Sequence, residues 1–205
     1  MPKGVTKRRP RTQQRLLDAA LDAFAELGFQ RASIEDICSR AGFTRGAFYS
    51  NFSSRDELFL ALYDAQTERV MAQYARAFAD ASTGGQLTLE EIVRITAHID
   101  STERKWYVVW SEYMLHAIRT PEAANALAGR DAALRRQVGD LVASSLKHAG
   151  LEPVIDCDEI ASMIIVVREG ALPRSIFDPK ANPPGVLEER LLRLILNAVT
   201  RPNAA

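Results

Sequence analysis

The chain has 205 residues, 47% of them apolar and 25% charged, with 26 basic and 26 acidic side chains. This profile excludes intrinsic disorder and gives enough apolar surface for one large helical body or two small domains. Apolar runs such as Ile164 to Val167 fall far short of the roughly twenty residues that cross a bilayer, and no apolar signal core opens the chain, so a cytoplasmic protein without a membrane partner is expected.

Charge is unevenly placed. Residues 1–15 carry Lys3, Lys7, Arg8, Arg9, Arg11 and Arg15 and no acid, and up to Asp56 there are ten basic side chains against six acidic ones, leaving the rest net acidic. A basic head on an acidic body suits a molecule that meets phosphates at one end, although a solvated basic tail would give the same count. After Arg11 apolar residues recur at three- and four-residue spacing, with no convincing period of two, so the fold should be all-α with about nine helices. The first helix is expected from Thr12 to Leu27, burying Leu16, Leu17, Ala20, Phe24 and Leu27, with Gly28 as its left-handed stop. Ser33 caps a second helix that ends at Ala41, with Asp36 completing a near capping box and Gly42 ending it. Thr44 caps a short third helix through Tyr49 or Ser50, and Ser54 caps a long fourth one from Arg55 to about Ala79.

Ser82 to Gly85 form the clearest break. Helices resume over Leu89 to Ser101, Glu103 to Arg119 and Pro121 to Ala149, with Gly129 as the weak point of the last and Gly150 and Pro153 beyond it. Two more, Asp156 to Leu172 and Pro184 to Arg201, flank a loop containing Pro173, Pro179, Pro183, Pro184 and Gly185. The expected organisation is a basic arm (1–11), a helix-turn-helix domain (12–54), a connecting helix (55–79) and an effector-binding and dimerisation domain (80–205).

The stretch from Ile34 to Phe52 has the parts a helix-turn-helix needs. Gly42 suits the tight turn, the small Cys38 lets two helices approach closely, and Ile34, Ile37, Ala41, Phe43, Phe48 and Phe52 suit a shared core. The other side of the second of these helices is short and donor-rich: Thr44, Arg45, Gly46, Ala47 and Tyr49. Arg45 can give two hydrogen bonds to the O6 and N7 of guanine, and Thr44 stands at a helix N-terminus suited to phosphate. Gly46 and Ala47 allow close approach, Ser33 and Tyr49 can place hydroxyls on phosphates, and Arg55 adds charge. A three-helix packing unit without DNA would show the same apolar pattern, but not this basic, acid-free outer set.

Residues 12 to about 62 resemble the N-terminal domain of TetR-family regulators. The resemblance lies in Ala-Leu-Asp-Ala-Phe-Ala-Glu-Leu-Gly-Phe at 20–29, Ser-Ile-Glu-Asp-Ile at 33–37, Ala-Gly-Phe-Thr-Arg-Gly-Ala-Phe-Tyr at 41–49 and Asn-Phe-Ser-Ser-Arg-Asp-Glu-Leu at 51–58. It implies DNA contacts from Ser33, Thr44, Arg45, Tyr49 and Arg55, and places Gly46, Ala47 and Asn51 in the same interface. Cys38, Phe43 and Arg55 stand where alanine, valine and lysine are commoner. A buried, neutral setting should keep the Cys38 thiol unreactive, and Cys38 and Cys157 offer neither a disulfide framework nor a zinc spacing.

In the C-terminal half, Ile160, Met163, Ile164, Ile165, Val166 and Val167 make one helix apolar on nearly every side. With Leu187, Leu191 and Leu194 on the last helix, Ile160, Ile164 and Val167 would pair subunits in a four-helix bundle, as the resemblance also implies; completion of one subunit's own core is the other reading. Trp106, Trp110, Tyr113 and Met114 share a face that, with Ile99 and Val138, could line a pocket for a hydrophobic or aromatic effector, or be plain core. His98, Glu112 and His116 lack the spacing of metal ligands, and no cofactor is expected. With no phosphate loop, nucleophile elbow or supported carboxylate pair, catalysis is not expected either. The sequence thus points to a homodimer on a palindromic DNA operator, released by a small molecule. Whether it represses or activates depends on operator position, which no residue reveals.

Overall fold

The three- and four-residue spacing is realised as nine α-helices among the described residues, 8–99 and 102–203, of the computed structural model. They are α1 (Arg8–Leu27), α2 (Ile34–Ala41), α3 (Arg45–Tyr49), α4 (Arg55–Ser82), α5 (Leu89–Ala97), α6 (Glu103–Arg119), α7 (Pro121–His148), α8 (Cys157–Phe177) and α9 (Val186–Val199). Two short strands, β1 (Leu151–Pro153) and β2 (Thr200–Pro202), pair antiparallel with Glu152 opposite Arg201. Three residues apiece are too few to show as alternation, so this pair escaped the all-helical reading. None of the described helices is long and apolar enough to cross a membrane.

Helix α1 begins four residues before the expected Thr12 cap. Pro10 is its third residue, where the missing N–H would have had no intrahelical partner, so the ring is tolerated. Arg8 to Arg11 therefore belong to a helix rather than to an arm, while Lys3 and Lys7 lie outside the described residues. Helix α5 stops at Ala97, not Ser101, because Arg168 donates to the Thr96 carbonyl (2.6 Å) and His98 turns extended; Asp100 and Ser101 are not described. Gly129 does not interrupt α7. Helix α8 continues through Pro173 to Phe177, past its expected end at Leu172. Around the proline, Arg174 donates to the Gly170 carbonyl (2.9 Å) and Ser175 to that of Leu172 (2.7 Å), and burial of Ala171 and Ser175 holds the turn in place.

The chain divides into two compact units: Met1–Gln66 with Thr102–Gly129, and Thr67–Ser101 with Arg130–Ala205. Helices α4 and α7 each run on from one unit into the other. The first unit thus takes in α6, which residue order alone assigns to a C-terminal domain. Aromatic packing is the reason. Tyr113 of α6 is wholly buried, its ring stacked on Phe59 with centroids 3.6 Å apart and edge-on to Phe29 at 4.9 Å. Its hydroxyl donates to Asp56 Oδ1 at 3.2 Å. Tyr113, expected to face an effector, is instead core, because helical spacing marks a covered face without saying what covers it. Trp106 stacks on Phe59 at 5.9 Å and Trp110 leans on Tyr63 at 5.3 Å, both half-buried like Met114.

In the second unit α9 packs on α5 and α8. Its core gathers Phe78, Ile92, Val93, Leu146, Ile160, Ile164, Leu192 and Leu196, with Val167 partly buried against it. Ile160 and Ile164 are 0% and 5% exposed, so these two do not form the outward, subunit-pairing face expected of them. They fill their own unit because α9 covers that side of α8. Leu187 and Leu191 are half-buried and Leu194 exposed; Ile99 and Val138 are half-buried members of the same unit.

Replacing Tyr113 separates packing from hydrogen bonding. Tyr113→Ala is expected to lower unfolding stability by about 3–5 kcal/mol through the cavity it leaves, and Tyr113→Phe by about 1 kcal/mol. Urea unfolding measures both, and an Ala variant as stable as wild type would contradict the core assignment.

Candidate nucleic-acid interface

The path from α1 to α2 is a five-residue loop held at both edges. Gly28 is left-handed (φ +83°), which favours glycine, and a Cβ there would lie 2.7 Å from Glu112 Oε2 and displace that carboxylate. Glu112 accepts the Phe29 amide at 2.5 Å. Nη1 of Arg55 donates to the carbonyls of Phe29 (3.0 Å), Gln30 (3.1 Å) and Ala32 (2.6 Å), with its guanidinium over the Phe29 ring. His116 completes the brace. Gln30 Nε2 donates to its Nδ1 at 2.9 Å, which leaves Nε2 protonated and donating to Asp56 at 3.0 Å.

That loop delivers Ser33 to the N-cap of α2. Its Oγ accepts the Asp36 amide at 3.1 Å while its own amide donates to Asp36 Oδ2 at 2.9 Å, a reciprocal capping box. The Ser33 hydroxyl also donates to Asp36 Oδ2 at 2.6 Å, and this bond, followed by the one from the Ser33 amide, holds the Asp36 carboxyl below the usual carboxylate range. At the other end Gly42 is left-handed (φ +67°), and Phe43 donates to the Cys38 carbonyl at 2.9 Å. Arg15 of α1 locks this turn, donating to the Ala41 carbonyl at 2.7 Å and lying over the Phe43 ring at 4.7 Å.

Helix α3 has five residues and one inward anchor, the wholly buried Phe48. Thr44 caps it, Oγ1 accepting the Ala47 amide at 3.2 Å. Thr44, Arg45, Gly46 and Tyr49 are exposed and Ala47 half-buried. Gly46 has no positive φ, and a Cβ there would meet only Thr44 Oγ1 at 3.7 Å, so nothing inside the fold requires a glycine at this point.

Comparison with known proteins agrees with this geometry. The model of bacterial regulatory proteins of the tetR family matches residues 16–62, and that of the C-terminal region of BetI-type transcriptional repressors matches residues 88–200. The chain belongs to the TetR family. Among its relatives, the HTH-type transcriptional regulator YfiR of Bacillus subtilis is 22% identical over 197 residues, covering 94% of this chain and 95% of that protein. UidR of Escherichia coli, also an HTH-type transcriptional regulator, is 25% identical over 161 residues, 78% of this chain and 80% of that one. The solved structure of Salmonella enterica GusR superposes with a TM-score of 0.69 at 21% identity, covering 96% of this chain and 98% of that chain. This TetR-family chain is a helix-turn-helix transcriptional regulator.

Of the residues expected at its interface, Thr44, Arg45, Gly46, Ala47 and Tyr49 come together on α3, with Ser33 at the neighbouring cap. Asn51 and Arg55 are used inside the fold: Asn51 Nδ2 donates back to the Ala47 carbonyl at 2.8 Å with Oδ1 buried, and Arg55 braces the loop. The Asn51 amide serves a carbonyl one turn back, and the Arg55 guanidinium serves carbonyls of the distant α1–α2 loop. The sequence reading missed the bracing roles of Arg15 and Glu112, whose targets lie tens of residues away. It also missed Glu35, whose Oε1 lies 2.5 Å from Arg45 Nη1; position 35 is about two turns of helix plus a loop from α3, and only the crossing of α2 over α3 brings them together. Burial pushes the Cys38 thiol up, Glu35 adding to the effect and Arg45 opposing it, so it stays protonated and a poor nucleophile near neutral pH.

Because the Asp36 carboxyl is held low in the folded state, its stabilisation is present above about pH 4, the ordinary aspartate value, and is lost as pH falls through the lowered one. Ser33→Ala is therefore expected to unfold at lower urea than wild type at pH 7, with the gap narrowing below about pH 4. A gap independent of pH would show that Asp36 is not part of the cap.

Proposed function

We propose that this TetR-family regulator works as a cytoplasmic homodimer that places two α3 helices in successive major grooves of a palindromic operator, about 34 Å apart, and represses transcription until a small-molecule effector releases it. The observation that carries the reading is Gly46. Glycine inside a helix costs about 1 kcal/mol relative to alanine, and here neither φ nor packing calls for it. A surface that must approach base edges closely does call for it. Beside it Arg45 suits guanine O6 and N7, Ala47 a thymine methyl, and the hydroxyls of Thr44, Tyr49 and Ser33 suit phosphates.

Pairing of subunits is supported by the outer side of α8 and α9, where Val166 is 67%, Phe177 81% and Leu194 62% exposed. Large exposed apolar side chains on two helices that pack together suit an intermolecular four-helix bundle, with Val167, Leu187 and Leu191 as further members. Trp106, Trp110 and Met114, half-buried on α6, are the side chains that suit a hydrophobic or aromatic effector. An effector that favours a state with misplaced reading heads by a few kcal/mol would empty the operator.

Selection of genomic DNA fragments with the purified protein is expected to return one palindromic motif, and Arg45→Ala to lose it. Gly46→Ala is expected to raise unfolding stability by up to about 1 kcal/mol while weakening operator binding; if both stability and binding rose, α3 would not be the reading helix. For the dimer, Val166→Glu combined with Leu194→Glu is expected to give a folded monomer in sedimentation velocity with at least tenfold weaker operator binding, whereas an intact dimer would move the pairing face elsewhere.

A further inference from the structure

The outer side of α3 carries no acid of its own, yet α2 supplies one. Glu35 Oε1 lies 2.5 Å from Arg45 Nη1, with the two side chains 55% and 59% exposed. On the other side Arg45 Nη2 donates to the Tyr49 hydroxyl at 3.4 Å, and its guanidinium lies 5.8 Å from the centre of the Tyr49 ring. The guanidinium is thus held at two points. Among the described residues Nε–H makes no hydrogen bond, and Nη2 keeps one N–H beyond that given to Tyr49, so the Nε/Nη2 edge holds two donors when Tyr49 takes the Nη2 hydrogen turned away from it. Two parallel N–H groups on one edge are the donor pattern that O6 and N7 of guanine accept.

We propose that Glu35 is a specificity-determining residue of the operator contact, holding the Arg45 guanidinium with its Nε/Nη2 edge turned to a guanine and withdrawing its charge from phosphates. This rests on the operator reading above. An exposed ion pair adds little to folding, and although the first turn of α2 favours a carboxylate, that preference does not require it to reach the reading arginine. In DNA binding its effect is larger. Sequence-independent affinity comes from cationic side chains on phosphates, and each such contact steepens the salt dependence by about one unit of log K against log salt. Paired with Glu35, Arg45 brings no net charge to a phosphate and has to leave its partner to reach one. A guanine edge asks for no such exchange, because Nη1 stays on Glu35 while the other edge donates. Glu35 also positions a long, flexible side chain before binding, which lowers the ordering cost of the specific contact alone.

The test measures the affinity of the full-length protein for its selected operator and for random-sequence DNA of equal length, over a salt series, with Glu35→Gln, Glu35→Asp and Arg45→Ala. Glu35→Gln keeps the helix and is expected to melt at the wild-type temperature, to bind random DNA several-fold more tightly with a salt slope steeper by about one, and to lower the operator-to-random ratio about tenfold. Its selected motif should accept other bases where wild type demands guanine. Glu35→Asp, which retains the charge, should recover part of the ratio. An unchanged or increased ratio in Glu35→Gln, with Arg45→Ala still losing the motif, would overturn the role of Glu35 and leave the operator reading standing. Should Arg45→Ala bind as wild type does, both would fall.

Discussion

The five residues from Gly28 to Ala32 constrain everything that follows them in the first unit. A loop of this kind exposes its backbone polar groups, and here they are taken up from two directions: Glu112 accepts an amide and Arg55 fills three carbonyls. The Phe29 ring fixes the middle, packed between Phe24, Phe59 and Tyr113. With both edges and the centre held, Ser33 has one place to stand, and the capping box it forms sets the start and axis of α2. Gly28 is the residue that allows it, since it takes the left-handed backbone (φ +83°) and leaves the Glu112 carboxylate in place on the Phe29 amide.

Helix α3 inherits its orientation from that chain of contacts. Five residues are too few to hold a helix by propensity, because nucleation costs more than one turn of hydrogen bonds returns. Its conformation comes from the Thr44 cap, the buried Phe48 and the left-handed Gly42 turn clamped by Arg15. Rigidity of the scaffold and freedom of the outer side are consequently compatible: residues that face outward are released from packing demands, as Gly46 illustrates at a cost to helix stability. The Glu35–Arg45 pair belongs to the same division of labour, contributing little to the fold and acting on the surface.

The second unit shows the complementary situation. Helix α8 is apolar almost all round, and α9 covers one side of it with Leu192 and Leu196. Val166 and Phe177 of α8 and Leu194 of α9 are left exposed. Arg168 contributes in a different way, closing the end of α5 through the Thr96 and His98 carbonyls while lying over the Tyr74 ring.

Local chemistry made much of this legible in the sequence. Ser33, Thr44 and Ser54 act as caps because their oxygens reach amides three residues on, and Gly28 and Gly42 end helices because they tolerate a positive φ; such signals depend on near neighbours and survive in any tertiary setting. The same locality explains why α2, its turn and α3 could be located almost to the residue. Periodicity, by contrast, says which residues share a face and not what covers it. Tyr113 turned out to stack on Phe59, and Ile160 and Ile164 to pack beneath α9, for that reason. Long charged side chains were least legible of all. Arg15, Arg55 and Glu112 serve backbone groups, and Glu35 meets Arg45, across separations that only the folded chain closes, because a flexible side chain takes whichever partner the tertiary structure brings within about 3 Å.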